Sequence, residues 1–320
     1  MQLSRIGAST DGVVVAQRNP QFLVIGSQKA GTSSLFVGLN RHPQIYMPEI
    51  KEVNYFFNDA LFSEGPARYA EFFKAAPKEA VCGEASPGYI CHPRAPLRIH
   101  RQLPDVKLIL TVRDPVERAY SQYWDNRRQL QEPRSFDALL EEPLHQTFTP
   151  ERRNYFSRGL YSVYLERYLA LFPRSQILVV QFDELKSDPN AVYRKCFEFI
   201  GVDPSFSSDE QRQIANFRSV FSNPLYRFFF NRPALATRLP SVLRWLLRWG
   251  KLIPYTPDPI SETTESRLRE FFAPYDRALA QLLGESLYWC EPQHMLEDTA
   301  SAAMDGPAPT GEATEPSPGP

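Results

Sequence analysis

The stretch Phe22-Leu23-Val24-Ile25-Gly26-Ser27-Gln28-Lys29-Ala30-Gly31-Thr32-Ser33-Ser34-Leu35 decides the fold. Its first four residues are a short apolar run, the length of a buried strand. Gly26 and Gly31 bracket a tight turn, and Thr32-Ser33-Ser34 opens a helix. A strand that feeds a helix through such a turn aims backbone N–H groups and the positive end of the helix dipole at one point. Anions bind at such points, phosphate most often.

The position of the lysine sets this loop apart. A Walker A loop, G-x-x-x-x-G-K-[ST], carries Lys directly after its second Gly. Here Gly26 and Gly31 keep the spacing, but Thr32 takes the Lys position and Lys29 comes two residues before Gly31. The displaced pattern K-x-G-T-[ST] resembles the 5′-phosphosulfate loop of sulfotransferases, which use 3′-phosphoadenosine-5′-phosphosulfate (PAPS). Leu108-Ile109-Leu110-Thr111-Val112-Arg113-Asp114-Pro115 through Tyr123 is a second strand, turn and helix. It is similar to the family's 3′-phosphate motif, with Arg113 and Ser121 at the two gripping positions. Lys51-Glu52-Val53-Asn54-Tyr55-Phe56-Phe57 resembles the E-x-x-x-F-F element of the heparan-sulfate branch, whose Glu is the proposed base. The three matches stand in order along the chain and the resemblance runs from about Gln21 to Cys290, so the chain is identified as a member of this family, of the bacterial, soluble type.

The resemblance implies an α/β, three-layer P-loop-like fold with a central parallel sheet flanked by helices. It also implies roles. Lys29 would stabilise the leaving phosphate oxygen, and Ala30, Gly31, Thr32, Ser33 and Ser34 would cradle the 5′-phosphate. Arg113, Ser121 and Arg218 would hold the 3′-phosphate. Glu52 is the expected base, and burial beside the donor would have to raise its basicity. Asn54 stands where the family often has a His; it can hydrogen-bond an acceptor but not take its proton. Ser86 and Tyr89, in Gly83-Glu84-Ala85-Ser86-Pro87-Gly88-Tyr89, are acceptor-cleft candidates, with a turn role equally open. His92 and His100 sit outside the pattern of the His-dependent small-molecule branch and read as surface or satisfied histidines. No metal is required, because Lys29 and backbone dipoles can neutralise the charge. Asp114 is expected to brace the turn or cap the helix.

Composition agrees. The chain has 320 residues, 42% of them hydrophobic, enough for one large domain. Removing the five acids of residues 293–320 from the net charge of −1 leaves +4 on the rest. That suits an anionic donor and is too small to suggest nucleic acid. The four cysteines, Cys82, Cys91, Cys196 and Cys290, form no C-x-x-C pair. Neither the membrane anchor nor the disulfide of Golgi relatives is recognisable, so a cytoplasmic enzyme is expected.

Apolar runs bounded by turn residues predict strands near 21–26, 80–84, 107–112 and 176–181. Helices are predicted over 32–41, 66–75, 94–102, 115–129, 160–171, 189–200 and 261–283, the last with a stripe of Leu268, Phe271, Phe272, Tyr275, Leu279 and Leu282. Residues 1–19 read as a flexible arm, 20–292 as the sulfotransferase domain and 293–320 as a disordered acidic tail. Residues 218–251 hold seven basic residues, no acids, Phe228-Phe229-Phe230, Trp245 and Trp249. For this basic, aromatic 218–255 segment four readings stay open: a lid on PAPS, an acceptor platform, a contact with anionic membrane, or amphipathic helices packed on the core.

The expected reaction is sulfuryl transfer from PAPS to a hydroxyl, or an amine, of a carbohydrate or glycolipid. Sulfation of a small-molecule or lipid alcohol is the alternative acceptor class. A P-loop kinase or NTPase and a non-catalytic PAPS-binding protein are the alternative functions. Acceptor identity and oligomeric state are not readable.

Overall fold

The computed structural model describes residues 18–141, 144, 155–207, 219–248, 252–256 and 258–290. The expected N-terminal arm (but for Arg18 and Asn19), Arg218 and the acidic tail lie outside these residues.

Strands β1 (Phe22–Gly26), β2 (Ile45–Tyr46), β3 (Val81–Ala85), β4 (Lys107–Val112) and β5 (Ile177–Gln181) form one sheet in the order β2-β3-β1-β4-β5. Every pairing is parallel, with Val24 opposite Ala85 on one side and Ile109 on the other. From β1 the chain builds outward to one side through β2 and β3, then crosses to β4 and β5. The switch point therefore falls at β1, where α/β sheets open a ligand crevice beyond the strand ends.

Alternation along the strands sorts the two faces. Phe22, Val24, Ile109 and Val180 pack on α1 (Thr32–Asn40) and α8 (Pro189–Ile200) through Leu35, Leu39, Tyr193, Cys196 and Phe197. Leu23, Ile25, Leu108, Leu110 and Val179 face the other layer. There they meet Ile99 of α4 (Ala95–Gln102), Val116 and Ala119 of α5 (Pro115–Arg128), Leu165 of α6 (Tyr161–Leu169), and Leu268 and Phe272 of α12 (Glu262–Leu283). Both faces of the sheet are covered, so β1 reads as a continuous apolar run, and each buried aliphatic contributes about 1.5–3 kcal/mol.

The four predicted strands and the 115–129, 189–200 and 261–283 helices match within a residue or two. The expected 66–75 helix is α3 (Pro66–Ala70) tightening into a 3₁₀ turn over Glu71–Phe73. Two-residue β2 escaped prediction, as did the short helices α2 (Asp59–Ser63) and α7 (Phe182–Ser187). The basic, aromatic segment forms β6 (Ser219–Phe221), α9 (Pro224–Phe230), α10 (Pro233–Ala236), α11 (Ser241–Leu247) and β7 (Leu252–Pro254), with β6 and β7 antiparallel. Its small core of Val220, Tyr226, Phe230, Ala236 and Leu247 closes on Leu130 and Trp124, at the end of α5.

Candidate active site

The loop after β1 is held from beneath by β4. The Ser27 N–H donates to the Thr111 carbonyl at 2.8 Å, and the Thr111 hydroxyl donates to the Gly26 carbonyl at 3.0 Å. Gly31 then turns the chain into α1 with φ of 86°, a left-handed conformation that disfavours other residues. A Cβ there would meet Leu185 at 2.8 Å and Phe182 at 2.9 Å. Gly31 is also the N-cap of α1, with no side-chain hydrogen bond to the helix start. The first-turn amides, Thr32 and Ser33 among them, thus lack the cap that Ser, Asp or Asn would supply. Ser27 Oγ and Gln28 Oε1 are buried nearby in sequence with no partner. Ala30, Thr32 and Ser34 are buried and Ser33 is exposed, so their contributions to a ligand divide between backbone and side chain.

Cations gather around this loop. Lys29, itself at φ of 68°, reaches Asp125 on α5 at 3.9 Å. Burial pulls its ammonium pKa below the usual value; Asp125 opposes that, and repulsion from Arg128, Arg113 and Arg118 adds to it. Arg118 is fully buried, donates to Gln122 at 2.9 Å and to the Tyr155 carbonyl, and is lowered by burial to about 10. Four positive groups with only two carboxylates beside them, Asp125 and Glu117, leave the loop short of negative charge, which an anionic ligand would supply. Asp125, Arg118 and Arg128 escaped sequence reading. The spacing Ser121 to Asp125, one helical turn, was the available signal.

Arg113 follows β4, and Ser121 lies two turns into α5, half-buried. Arg113 packs 4.6 Å over the Phe182 ring, donates to Glu117 at 2.7 Å and to the Lys29 carbonyl at 3.3 Å. That last bond ties the loop after β1 to the loop after β4. Burial raises the Glu117 carboxyl, but Arg113 outweighs it and the net shift is downward. Asp114 caps α5 by accepting from the Val116 amide at 2.8 Å, and Arg269 braces it at 2.6 Å.

Glu52 sits at the same sheet edge. Its amide donates to the Ala85 carbonyl at 3.1 Å, at the end of β3, which adjoins β1. The expected burial is absent: its side chain is 47% exposed, and Lys51 pairs with it at 2.9 Å. The loop around it is held firmly. Glu52 and Asn54 both adopt positive φ, 65° and 56°, and the Asn54 side chain donates to the Glu52 carbonyl at 2.9 Å. Beyond them Tyr55 and Phe56 are fully buried in an aromatic cluster with Tyr69 and Phe62.

Ser86 and Tyr89, acceptor candidates from the sequence, are fully buried and do not line a cleft. Their hydroxyls donate to Glu84 at 2.7 Å each, joined by Tyr69 at 2.8 Å. The Ser86 oxygen in turn accepts from the Asn54 amide at 2.9 Å. Burial pushes the Glu84 carboxyl pKa up, and these hydroxyls pull it back. A chain Glu84–Ser86–Asn54 thus fixes the loop that carries Glu52, and a Glu inside the apolar strand Val81–Ala85 was its overlooked sign. His92 is buried, accepts from the Arg94 amide at 3.3 Å and packs on Phe57; His100 packs on Phe172. Between the end of α5 and α11 lies a groove of about 690 Å³ lined by Arg128, Gln129, Phe221, Trp245, Leu246 and Arg248.

A parallel five-stranded sheet covered by helices on both faces, with a strand–turn–helix loop at its switch point, has the P-loop-like α/β fold. The sulfotransferase domain family matches residues 19–224, and the chain belongs to that family. It is 28% identical over 270 residues to heparan sulfate glucosamine 3-O-sulfotransferase 3B1 of Mus musculus, covering 84% of this chain and 65% of that protein. It is 33% identical over 208 residues to the bifunctional heparan sulfate N-deacetylase/N-sulfotransferase 4 of Mus musculus, covering 60% of this chain but 23% of that one. The crystal structure of a sulfotransferase from Alicyclobacillus acidocaldarius superposes with a TM-score of 0.62 at 27% identity, over 84% of this chain and 98% of that one. Among the described residues, no helix is long and apolar enough to cross a membrane.

Proposed function

We propose that this sulfotransferase-family chain moves a sulfuryl group from PAPS to a hydroxyl, or an amine, of a carbohydrate. The observation that carries the reading is Lys29: a half-buried cation at the uncapped start of α1, on the sheet edge that also bears Glu52. The carbohydrate acceptor rests on the relatives' names, heparan sulfate enzymes that align with most of this chain.

The residues present fit such a donor. The orphaned Ser27 hydroxyl is a buried donor without an acceptor, the start of α1 has no side-chain cap, and Lys29, Arg113, Arg118 and Arg128 outnumber the two carboxylates beside them, Asp125 and Glu117. PAPS, when bound, supplies an activated sulfuryl group on a phosphate leaving group. Lys29 then leaves Asp125 and holds charge on the phosphate oxygen as the S–O bond breaks. Arg113 and Ser121, with Arg218, hold the 3′-phosphate. Glu52 takes the proton of the acceptor hydroxyl as its oxygen bonds to sulfur, after Lys51 gives way. Asn54 orients the acceptor. The products are the sulfated acceptor and adenosine 3′,5′-bisphosphate, and the proton on Glu52 passes to water.

Isothermal titration of adenosine 3′,5′-bisphosphate, with and without Mg²⁺, beside AMP and ATP, tests the donor site. Tight binding that needs the 3′-phosphate and ignores Mg²⁺ is the expected result. Mg²⁺-dependent ATP binding would instead reopen the kinase or NTPase class. Transfer of labelled sulfate from PAPS to heparan-type oligosaccharides, against small-molecule alcohols, tests the acceptor.

A further inference from the structure

The segment from α9 to α11 carries a surface that its own packing does not explain. Seven of the ten exposed large hydrophobic residues among those described fall within its 22 positions 225–246: Leu225, Phe228, Leu235, Val242, Leu243, Trp245 and Leu246. Val242 is 66% exposed and Trp245 64%. On α11 only Leu247 turns inward, so most of that helix shows apolar side chains to solvent. Isolated exposed apolar residues are ordinary, but such a concentration marks an interaction surface.

The charge on the same segment selects the partner. Residues 219–248 contain Arg227, Arg232, Arg238, Arg244 and Arg248 and no Asp or Glu. Arg227, Arg232 and Arg238 are exposed, and Arg232 lies 4.2 Å over the exposed Phe228 ring. Arginines flanking exposed Leu, Phe and Trp match the boundary of an anionic bilayer, where apolar side chains enter the acyl region and guanidinium groups meet lipid phosphates. A two-fold interface made of this segment alone would bring together two copies of an Arg-bearing surface that carries no acid to compensate it.

We infer that α9–α11 docks peripherally on anionic lipid surfaces. The groove lined by Arg128, Phe221, Trp245 and Arg248 opens beside this surface, so docking would hold that side of the enzyme at the membrane. The inference does not depend on the sulfuryl-transfer reading, since vesicle binding needs neither donor nor acceptor.

The test is co-sedimentation of the full chain with phosphatidylcholine vesicles that contain phosphatidylglycerol, against phosphatidylcholine alone. Binding to the anionic vesicles should exceed binding to neutral ones by about tenfold or more and weaken as salt is raised. Two double variants, Val242→Ser with Leu243→Ser and Arg232→Gln with Arg238→Gln, should each reduce it severalfold. All four side chains are exposed and lie outside the small core, so circular dichroism should be unchanged. No binding to anionic vesicles, equal binding to both kinds, or binding indifferent to both variants overturns the proposal. So does concentration-dependent self-association of the wild type that the Val242→Ser, Leu243→Ser variant abolishes.

Discussion

The loop of Lys29 and the loop of Glu52 meet at one sheet edge but are built in opposite ways. The Lys29 loop works largely through backbone: a glycine turn, a bare helix start and amides anchored by Thr111. Its one prominent side chain, Lys29, is half-buried and sits among other cations, with Asp125 beside it. The Glu52 loop exposes the Glu52 side chain, holds it through half-buried Asn54, and buries Ser86 and the Glu84 carboxylate three bonds of the network away. In the proposed roles, the contrast teaches that an anion site can be written into a short local motif, whereas a base on a loop needs support from elsewhere in the fold.

Lys29→Ala should show the largest effect, because no neighbouring cation occupies its place on the loop. A loss in kcat of about 10²–10³ is expected, with binding of adenosine 3′,5′-bisphosphate changed far less. Steady-state rates beside titration check this, and a matching loss of product binding would break the division between the loops. Glu52→Gln should lower kcat by about 10²-fold or more and leave donor-product affinity nearly intact. Full activity across acceptors would remove Glu52 as the base.

Arg113→Ala should weaken 3′-phosphorylated nucleotides by about 10–100-fold while leaving AMP almost unaffected. Loss of affinity for both would mean that its bonds to Glu117 and Lys29 serve the fold more than the ligand. Glu84→Gln keeps the shape but cannot accept from all three hydroxyls. It should cost about 1–3 kcal/mol of stability and a few-fold in kcat, read by urea unfolding and rates on the same samples. A stability loss with kcat unchanged would cut the proposed link from Glu84 to Glu52.

The smallest effect on turnover is expected at Asp276, on α12 beside Asp114 and Arg269. Burial pushes the Asp276 carboxyl up to about 7, with Asp114 adding and Arg269 opposing. The native state therefore holds a proton that the unfolded chain, with a pKa of about 4, has released, and the stability this confers is lost as pH rises through about 7. Asp276→Asn should flatten that slope and gain about 1–3 kcal/mol near pH 8 relative to wild type, with kcat little changed.

Much of this was legible beforehand for a physical reason. The strands of a covered parallel sheet are continuous apolar runs, so four of the five main-sheet strands could be read from Phe22–Ile25 and its counterparts. Ile45–Tyr46 was too short to carry a pattern. The loop after β1, with its glycines and displaced lysine, is local geometry and stands in the order of residues itself. So does the cap at Asp114, which has Pro at the first helical position behind it.

What tertiary structure alone decided is where side chains of mixed chemistry end up. Ser86 and Tyr89 look equally fit for a cleft or a core; the sheet put them inside, because Glu84 is buried there and needs their hydroxyls. Asp125 and Arg118 became part of the Lys29 surroundings only when α5 packed beside the loop. The exposed apolar face of α11 likewise follows from which single residue, Leu247, the small core had room to bury. Local sequence determines conformations that short-range sterics and backbone hydrogen bonds can specify. Burial, and with it the role of every ambiguous polar or apolar side chain, depends on contacts between segments far apart in the chain.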